Sequence, residues 1–314
     1  NMAGTGQALD VSLPTVISQF ELLRDVTGVF RNSAESNPLK RHSGVSWIRN
    51  NYGRAIAYDL DEAADMNQAQ TLSDAATTIT PAEVGAQITI PGSTLRRIAD
   101  ASLETRVAEM LNNAYSLKED QDGATQMASW TVTRGSTSTI ISVSSIFAGA
   151  ALLGVGNSVA NPEPAPEPWF YIGHDFQLLH LLGRTMQFSD VPTGTTAYTG
   201  LIATGVTFGP GVSGSGMRED MLKNGIGALT RMGGITVKKD ANITVTSTPS
   251  ATGGIFSGKG LIYVNEVDPR IVKDTSDVSM RDAVELNVWG SYKFGLYRPG
   301  NYGVGMIFDC TTPT

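Results

Sequence analysis

The chain has 314 residues, 41% of them hydrophobic and 17% charged, which is enough apolar material for one large or two modest cores and excludes disorder of the whole chain. Its 23 basic residues against 30 acidic ones leave a formal charge of −7, which argues against a dedicated, strongly basic nucleic-acid-binding domain while leaving room for local basic patches. The single cysteine, Cys310, permits no intramolecular disulfide and no thiolate metal cage, and three histidines (His42, His174 and His180) are too few for most histidine-based metal sites.

No run approaches the ~18 consecutive apolar residues that a membrane-spanning helix needs. The longest, 146–155, is rich in Gly and Ala and reads as a buried helix. No basic stretch followed by an apolar run marks a secretory leader. The chain opens Asn1-Met2, which suggests either a processed or partly observed product or a true start at Met2.

In chain order, 1–43 reads as an arm with a short helix near 14–25, started by Pro14 and carrying Val16, Ile17, Phe20 and Leu23 at helical spacing. From 45 to 62 the period changes to two. Val45, Trp47 and Arg49 alternate, Asn50-Asn51-Tyr52-Gly53 offers turn chemistry, and Ile56, Tyr58 and Leu60 alternate again, so a β-hairpin is expected there, followed by a polar stretch to about Thr80. A strand over 84–90 ends at Pro91-Gly92. Ser93 or Thr94 then caps a helix whose Leu95, Ile98, Leu103, Val107, Met110, Leu111, Ala114 and Leu117 share one side as far as Asp120, roughly 40 Å, with Asp122-Gly123 ending it.

The middle alternates short elements: a β-rich piece over 130–143, the small apolar helix, a stiff Pro-rich spacer over 162–168, a strand over 169–172, a helix over 175–183, a strand over 200–208, a loop over 209–216, a helix over 217–232 and a strand over 235–238. At the end, 284–296 and 302–308 read as two long strands around a Pro299-Gly300-Asn301 turn.

Several motifs invite a chemical reading. Gly209-Pro210-Gly211-Val212-Ser213-Gly214 has the spacing and the strand–loop–helix context of a dinucleotide cradle, whose bare amides hold a pyrophosphate. Against it, Pro210 removes an amide and Asp240, the acidic residue after the next strand, follows Lys238-Lys239; a Gly-rich surface loop is the competing account. His174 and His180 are six apart, out of line for a shared metal on a helix. Gly258-Lys259-Gly260 lacks the rest of a phosphate loop and reads as a turn. Asp59, Asp61, Glu62 and Asp65 lack the glycine and the closing glutamate of a calcium loop. No serine, cysteine or histidine set looks like a nucleophile and its base, so no catalytic, cofactor-binding or metal-ligating residue is assigned.

The order of elements, an N-terminal arm, a long hairpin-like excursion, the strand Ala82-Glu83-Val84-Gly85-Ala86-Gln87-Ile88-Thr89-Ile90, a long helix, an α/β region and the closing Tyr292-Lys293-Phe294-Gly295-Leu296-Tyr297-Arg298-Pro299, resembles the major capsid proteins of tailed bacteriophages. Their Hong Kong ninety-seven-type fold is shared with encapsulin shells. The resemblance implies an α+β chain with an N-arm (1–43), an extended loop (44–90), a spine helix (91–123), a mainly axial domain (124–270) and closing peripheral and axial strands (271–314). It further implies a non-enzymatic subunit that assembles with copies of itself, as hexamers and pentamers, into an icosahedral virion shell around double-stranded DNA in the host cytoplasm. Portal and possibly scaffolding or decoration proteins would be its partners, with no membrane and no cofactor.

Two sets of residues follow. The excursion holds little apolar material over 61–78, so it needs a neighbour to pack upon, and Arg49, Arg54, Asp59, Asp61 and Glu62 suit intersubunit ion pairs. The resemblance turns the arm and spine helix inward, which makes Arg24, Arg31, Lys40, Arg41, Arg96, Arg97 and Arg106 candidates for sequence-independent phosphate contacts, with ordinary intersubunit salt bridges as the competing account. An encapsulin-type cargo shell and a nucleotide-binding enzyme using 209–214 remain as alternatives.

Overall fold

A computed structural model describes residues 28–40, 44–52, 57, 74–93, 103–156, 163–186, 231–232, 234–274 and 283–311. The chain divides into two compact units. The first takes Asn1–Arg31, Ser36–Asp122 and Ile262–Gly295, the second Asn32–Glu35, Gly123–Leu261 and Leu296–Thr314.

The first unit is built on a four-stranded sheet and a long helix. The sheet has the order β1 (Glu35–Pro38), β10 (Leu261–Asp274), β11 (Ala283–Leu296), β4 (Ala82–Pro91). β11 and β4 run antiparallel through ten pairs, from Ala283 opposite Pro91 to Tyr292 opposite Ala82. The strand expected over 84–90 is therefore present, and Pro91 closes it as a residue that cannot donate to a ladder. Helix α1 (Leu103–Met127) buries Val107, Leu111 and Tyr115 at spacings of four, and the Tyr115 ring meets that of Tyr292 edge-on at 5.7 Å. The expected stop at Asp122-Gly123 is a correction: the helix runs on to Met127. A helical glycine costs about 1 kcal/mol, which burial of Ala124 and Met127 on the following turn outweighs. Residues 94–102, where the sequence starts the helix, lie outside the described residues.

β2 (Trp47–Tyr52) and β3 (Asp74–Ile79) form a separate antiparallel pair in the same unit. Here the turn expected at Asn50-Asn51-Tyr52-Gly53 is overturned, because Asn50 and Asn51 are mid-ladder opposite Ala76 and Ala75. Backbone pairing with a remote strand overrides the local turn preference of asparagine. The returning strand lies in the stretch read as merely polar.

The second unit is a six-stranded mixed sheet in the order β5 (Thr133–Gly135), β12 (Gly303–Asp309), β9 (Ser250–Ser257), β6 (Trp169–Gly173), β8 (Ile235–Lys239), β7 (Arg231–Met232). Helix α2 (Val143–Val155) is capped by Ser142, whose Oγ accepts the Ser145 N–H at 3.2 Å, and it buries Ile146, Gly149, Ala150 and Leu153 on one face. A Cβ on Gly149 would stand 2.8 Å from a methyl of Ile255, so this glycine sets how closely α2 lies on β9. Helix α3 (Asp175–Met186) adds Leu178 and Leu181 to the same core, beside Tyr171, Met306 and Phe308.

Three further expectations are corrected in this unit. The β-rich piece over 130–143 shrinks to three residues of β5, since Ser136 and Thr139 bond to each other (2.6 Å) and close a turn instead of extending a ladder. Of the helix expected over 217–232 only 231–232 are described, and there Arg231–Met232 is strand, paired with β8. The closing strands do not form a hairpin: β11 pairs with β4, whereas β12 pairs with β9 over seven positions. The turn over 298–301 is present and closed by Asn301 N–H on the Arg298 carbonyl, so turn chemistry was legible and partner choice was not.

Candidate assembly surfaces

The β2–β3 hairpin has two unlike faces. Trp47, Arg49 and Asn51 alternate on the half-buried one, with Arg49 opposite Thr77 and Trp47 opposite Ile79. On the other face Ile48 is 61% and Tyr52 56% exposed, and Val45, just before the strand, is 79% exposed. The base of the hairpin is fixed: Ile79 is buried, a Cβ on Gly295 would lie 2.4 Å from its Cδ1, and Ser46 and Thr80 share a hydroxyl bond of 2.8 Å. An isolated two-stranded ribbon is marginal in water, and here its outer face offers isoleucine and tyrosine to solvent, with an exposed valine just before the strand. Of the residues assigned to intersubunit pairing, Arg49 is on this hairpin; Arg54, Asp59, Asp61 and Glu62 lie outside the described residues.

Among the cations expected to face an interior, Arg24, Arg41, Arg96 and Arg97 also lie outside the described residues. Lys40 is exposed just after β1, and Arg106 is half-buried in the first turns of α1. Arg31 has work within the subunit. Its guanidinium lies 3.5 Å from the buried Glu119 carboxylate and 5.3 Å above the Tyr263 ring. The neighbouring Phe30 is fully buried and donates its N–H to Asp120 Oδ1 at 3.1 Å. Around this point Tyr115, Tyr263 and Tyr292 cluster, with Tyr292 donating to Asp122 at 2.9 Å. Burial, and then the Glu119 charge, push the Tyr115 phenol up to about 12, and the other two rise further for the same kind of reason, Tyr292 chiefly through burial and Asp122. All three remain neutral phenols near neutral pH, suited to packing rather than proton transfer.

The second unit contains a pairing that sequence reasoning missed. Cys310 Sγ lies 3.1 Å from His174 Nδ1, both buried and 136 positions apart. Spacing carried no signal for it. It resembles a thiol and its base, but burial raises the thiol to about 11 and lowers the imidazole below its ordinary range, so both groups are held neutral. A nucleophile needs the opposite shifts. No group of three His, Cys, Asp or Glu side chains suited to a metal occurs among the described residues. The loop at 209–214 lies outside them. Asp240, weighed above as a ribose ligand, is fully buried, donates its N–H to the Gly173 carbonyl and accepts from Asn242 N–H, which is a turn-capping role. Gly258–Gly260 is the turn between β9 and β10.

No family model matches this sequence, and no curated protein matches it. Solved structures do. The capsid structure of the cyanophage P-SCSP1u aligns with a TM-score of 0.62 over 98% of this chain and 96% of its own, at 14% identity. The head of Helicobacter pylori bacteriophage KHP40 aligns at 0.65 over 93% and 95%, with 10% identity. The fold is that of bacteriophage capsid proteins. The capsid of cyanophage Pam1 extends the likeness, at 0.61 over 96% of this chain and 99% of that one, with 10% identity. These alignments cover more than nine-tenths of both partners.

Proposed function

We propose that the protein is a major capsid protein, a non-enzymatic subunit that assembles with copies of itself into hexamers and pentamers of an icosahedral shell enclosing double-stranded DNA. The observation that carries this reading is the near-complete, two-way overlap with capsid and head structures from several phages. In this reading the first unit, with its sheet and α1, is the peripheral domain and spine helix. The second unit is the axial domain, and the β2–β3 hairpin belongs to the extended loop. The exposed face of Ile48 and Tyr52, with the adjacent Val45, is then covered by a neighbouring copy, with Arg49, Arg54, Asp59, Asp61 and Glu62 supplying ion pairs at its margins. Lys40, Arg106, Arg24, Arg41, Arg96 and Arg97 are the interior phosphate contacts, whereas Arg31, engaged with Glu119, contributes less. Portal and scaffolding or decoration proteins complete the particle, which forms in the host cytoplasm.

Negative-stain electron microscopy of the purified protein, with its sedimentation profile, tests the proposal. Closed shells support it, and their diameter separates a DNA-filled capsid from a small cargo compartment. A monomer or dimer that persists across salt and crowding agents contradicts it.

A further inference from the structure

The residue before α3 is a histidine used as a helix cap. The Phe176 N–H donates to His174 Nδ1 at 3.2 Å and the His174 N–H donates to Gln177 Oε1 at 3.2 Å, a variant of the capping box in which histidine caps the second N–H of the helix and the glutamine at the third position returns the bond. Because Nδ1 accepts from a backbone N–H, the ring is neutral with its proton on Nε2. Cys310 therefore points its S–H at the same acceptor. Gln177 is fully buried and ties this turn to two strands, donating Nε2–H to the carbonyls of Ala251 on β9 (2.8 Å) and Phe308 on β12 (3.1 Å). One neutral imidazole thus joins the start of α3 to the end of β12.

We propose that His174 is an acid-sensitive latch, which holds the α3 N-terminus and the Cys310 segment together while its ring is neutral and releases them when Nδ1 is protonated. A protonated Nδ1 is a donor facing the fixed Phe176 N–H donor, and the Cys310 sulfur, from which it had accepted, offers it only a weak acceptor. Its new charge stands at the positive end of the α3 dipole, in a site that is only 7% exposed. Among the described residues, the charged and titratable groups on the elements around it are these. Asp175 on α3 favours the cation, but its carboxylate is shared with Lys239 at 3.7 Å. From β8 come Lys239 and the buried Asp240, whose N–H is on the Gly173 carbonyl; from β12 and beyond come Asp309 and Cys310; from β6 comes Tyr171, a buried phenol raised by burial and then by Cys310. Burial prevails over Asp175, so the folded ring titrates below its ordinary value of 6.5.

The direction of the pH effect follows. A histidine with a depressed folded pKa lets the unfolded chain bind protons first, so the stabilisation is complete above about pH 6.5 and is lost as pH falls from there through the folded value. This latch is a property of the single subunit and does not depend on the shell reading.

Cys310 is the only thiol in the chain and is the reporter. Its rate of reaction with dithiodipyridine, divided by the rate of the denatured chain at the same pH, gives its protection in the full-length protein. Between about pH 7.5 and about pH 5.5 the wild type is expected to lose roughly tenfold in protection, while His174→Asn, which keeps a cap acceptor but does not titrate, loses none. Equal losses in the two proteins, or none in the wild type, overturn the proposal. A measurement on the wild type alone tests the latch in a second way: hydrogen exchange, corrected for intrinsic pH dependence, is expected to speed up over 174–186 and not over 143–155 in α2. Parallel changes in both helices, or no change in α3, contradict a local latch.

Discussion

The β2–β3 hairpin and the six-stranded sheet are both β structure, yet they satisfy their apolar residues in opposite ways. The sheet is covered by α2 and α3, and Tyr171, Ile255, Met306 and Phe308 are all at most 1% exposed. On the hairpin Ile48, Tyr52 and the preceding Val45 are exposed, although its base is anchored through Ile79. The sheet is thus covered by helices of its own chain, and in the proposed shell the hairpin face is the region that a neighbouring copy would cover. Substitutions in the sheet are expected to unfold the subunit, and substitutions on the hairpin face to leave it folded but unable to assemble.

The largest effect on subunit stability is expected in the sheet. Phe308→Ala removes a fully packed ring and should cost about 3–5 kcal/mol in chemical denaturation, enough to lower the yield of soluble protein sharply. Arg31→Ala comes next. It strands the buried Glu119 carboxylate, but the guanidinium is 42% exposed, so about 1–2 kcal/mol is expected from the shift in denaturation midpoint. If its charge is spent on Glu119, particles of this variant should release DNA with the same salt dependence as the wild type; a shallower salt slope would instead make Arg31 a phosphate contact.

Ser142→Ala takes away the cap of α2 and should cost about 1 kcal/mol, read as a fall in melting temperature. The smallest effect on the subunit, and the most telling for the comparison, is Ile48→Asp. It should change subunit stability by less than about 0.5 kcal/mol while abolishing shell formation in sedimentation. A variant that assembled normally would remove the hairpin face from the account.

These contrasts also mark what the sequence carries on its surface. The strand before Pro91, the long helix, the Ser142-capped helix and the strand–helix at 169–186 were readable because periodicity and punctuation residues coincide there. Pairing was not. Asn50-Asn51 has turn chemistry and yet sits in a ladder with residues 75 and 76, and the two closing strands flank a genuine turn while belonging to different sheets. β9 was not anticipated, since Gly253-Gly254 weakens any strand propensity; only the fold shows that these positions run against Met306 and Gly305 of β12. The His174–Cys310 contact illustrates the same limit, because no local pattern links residues 136 positions apart. The acidic residues at 59–62 and most of the basic candidates were legible as composition only, and the roles proposed for them involve neighbouring copies.

The central claim, that this subunit is completed by copies of itself, is tested most directly by a cryo-electron microscopy reconstruction of the particles formed by the purified full-length protein. The account predicts a closed icosahedral shell in which Val45, Ile48 and Tyr52 of each subunit are buried against an adjacent copy. Particles that never close, or a shell in which that face remains in solvent, would contradict it.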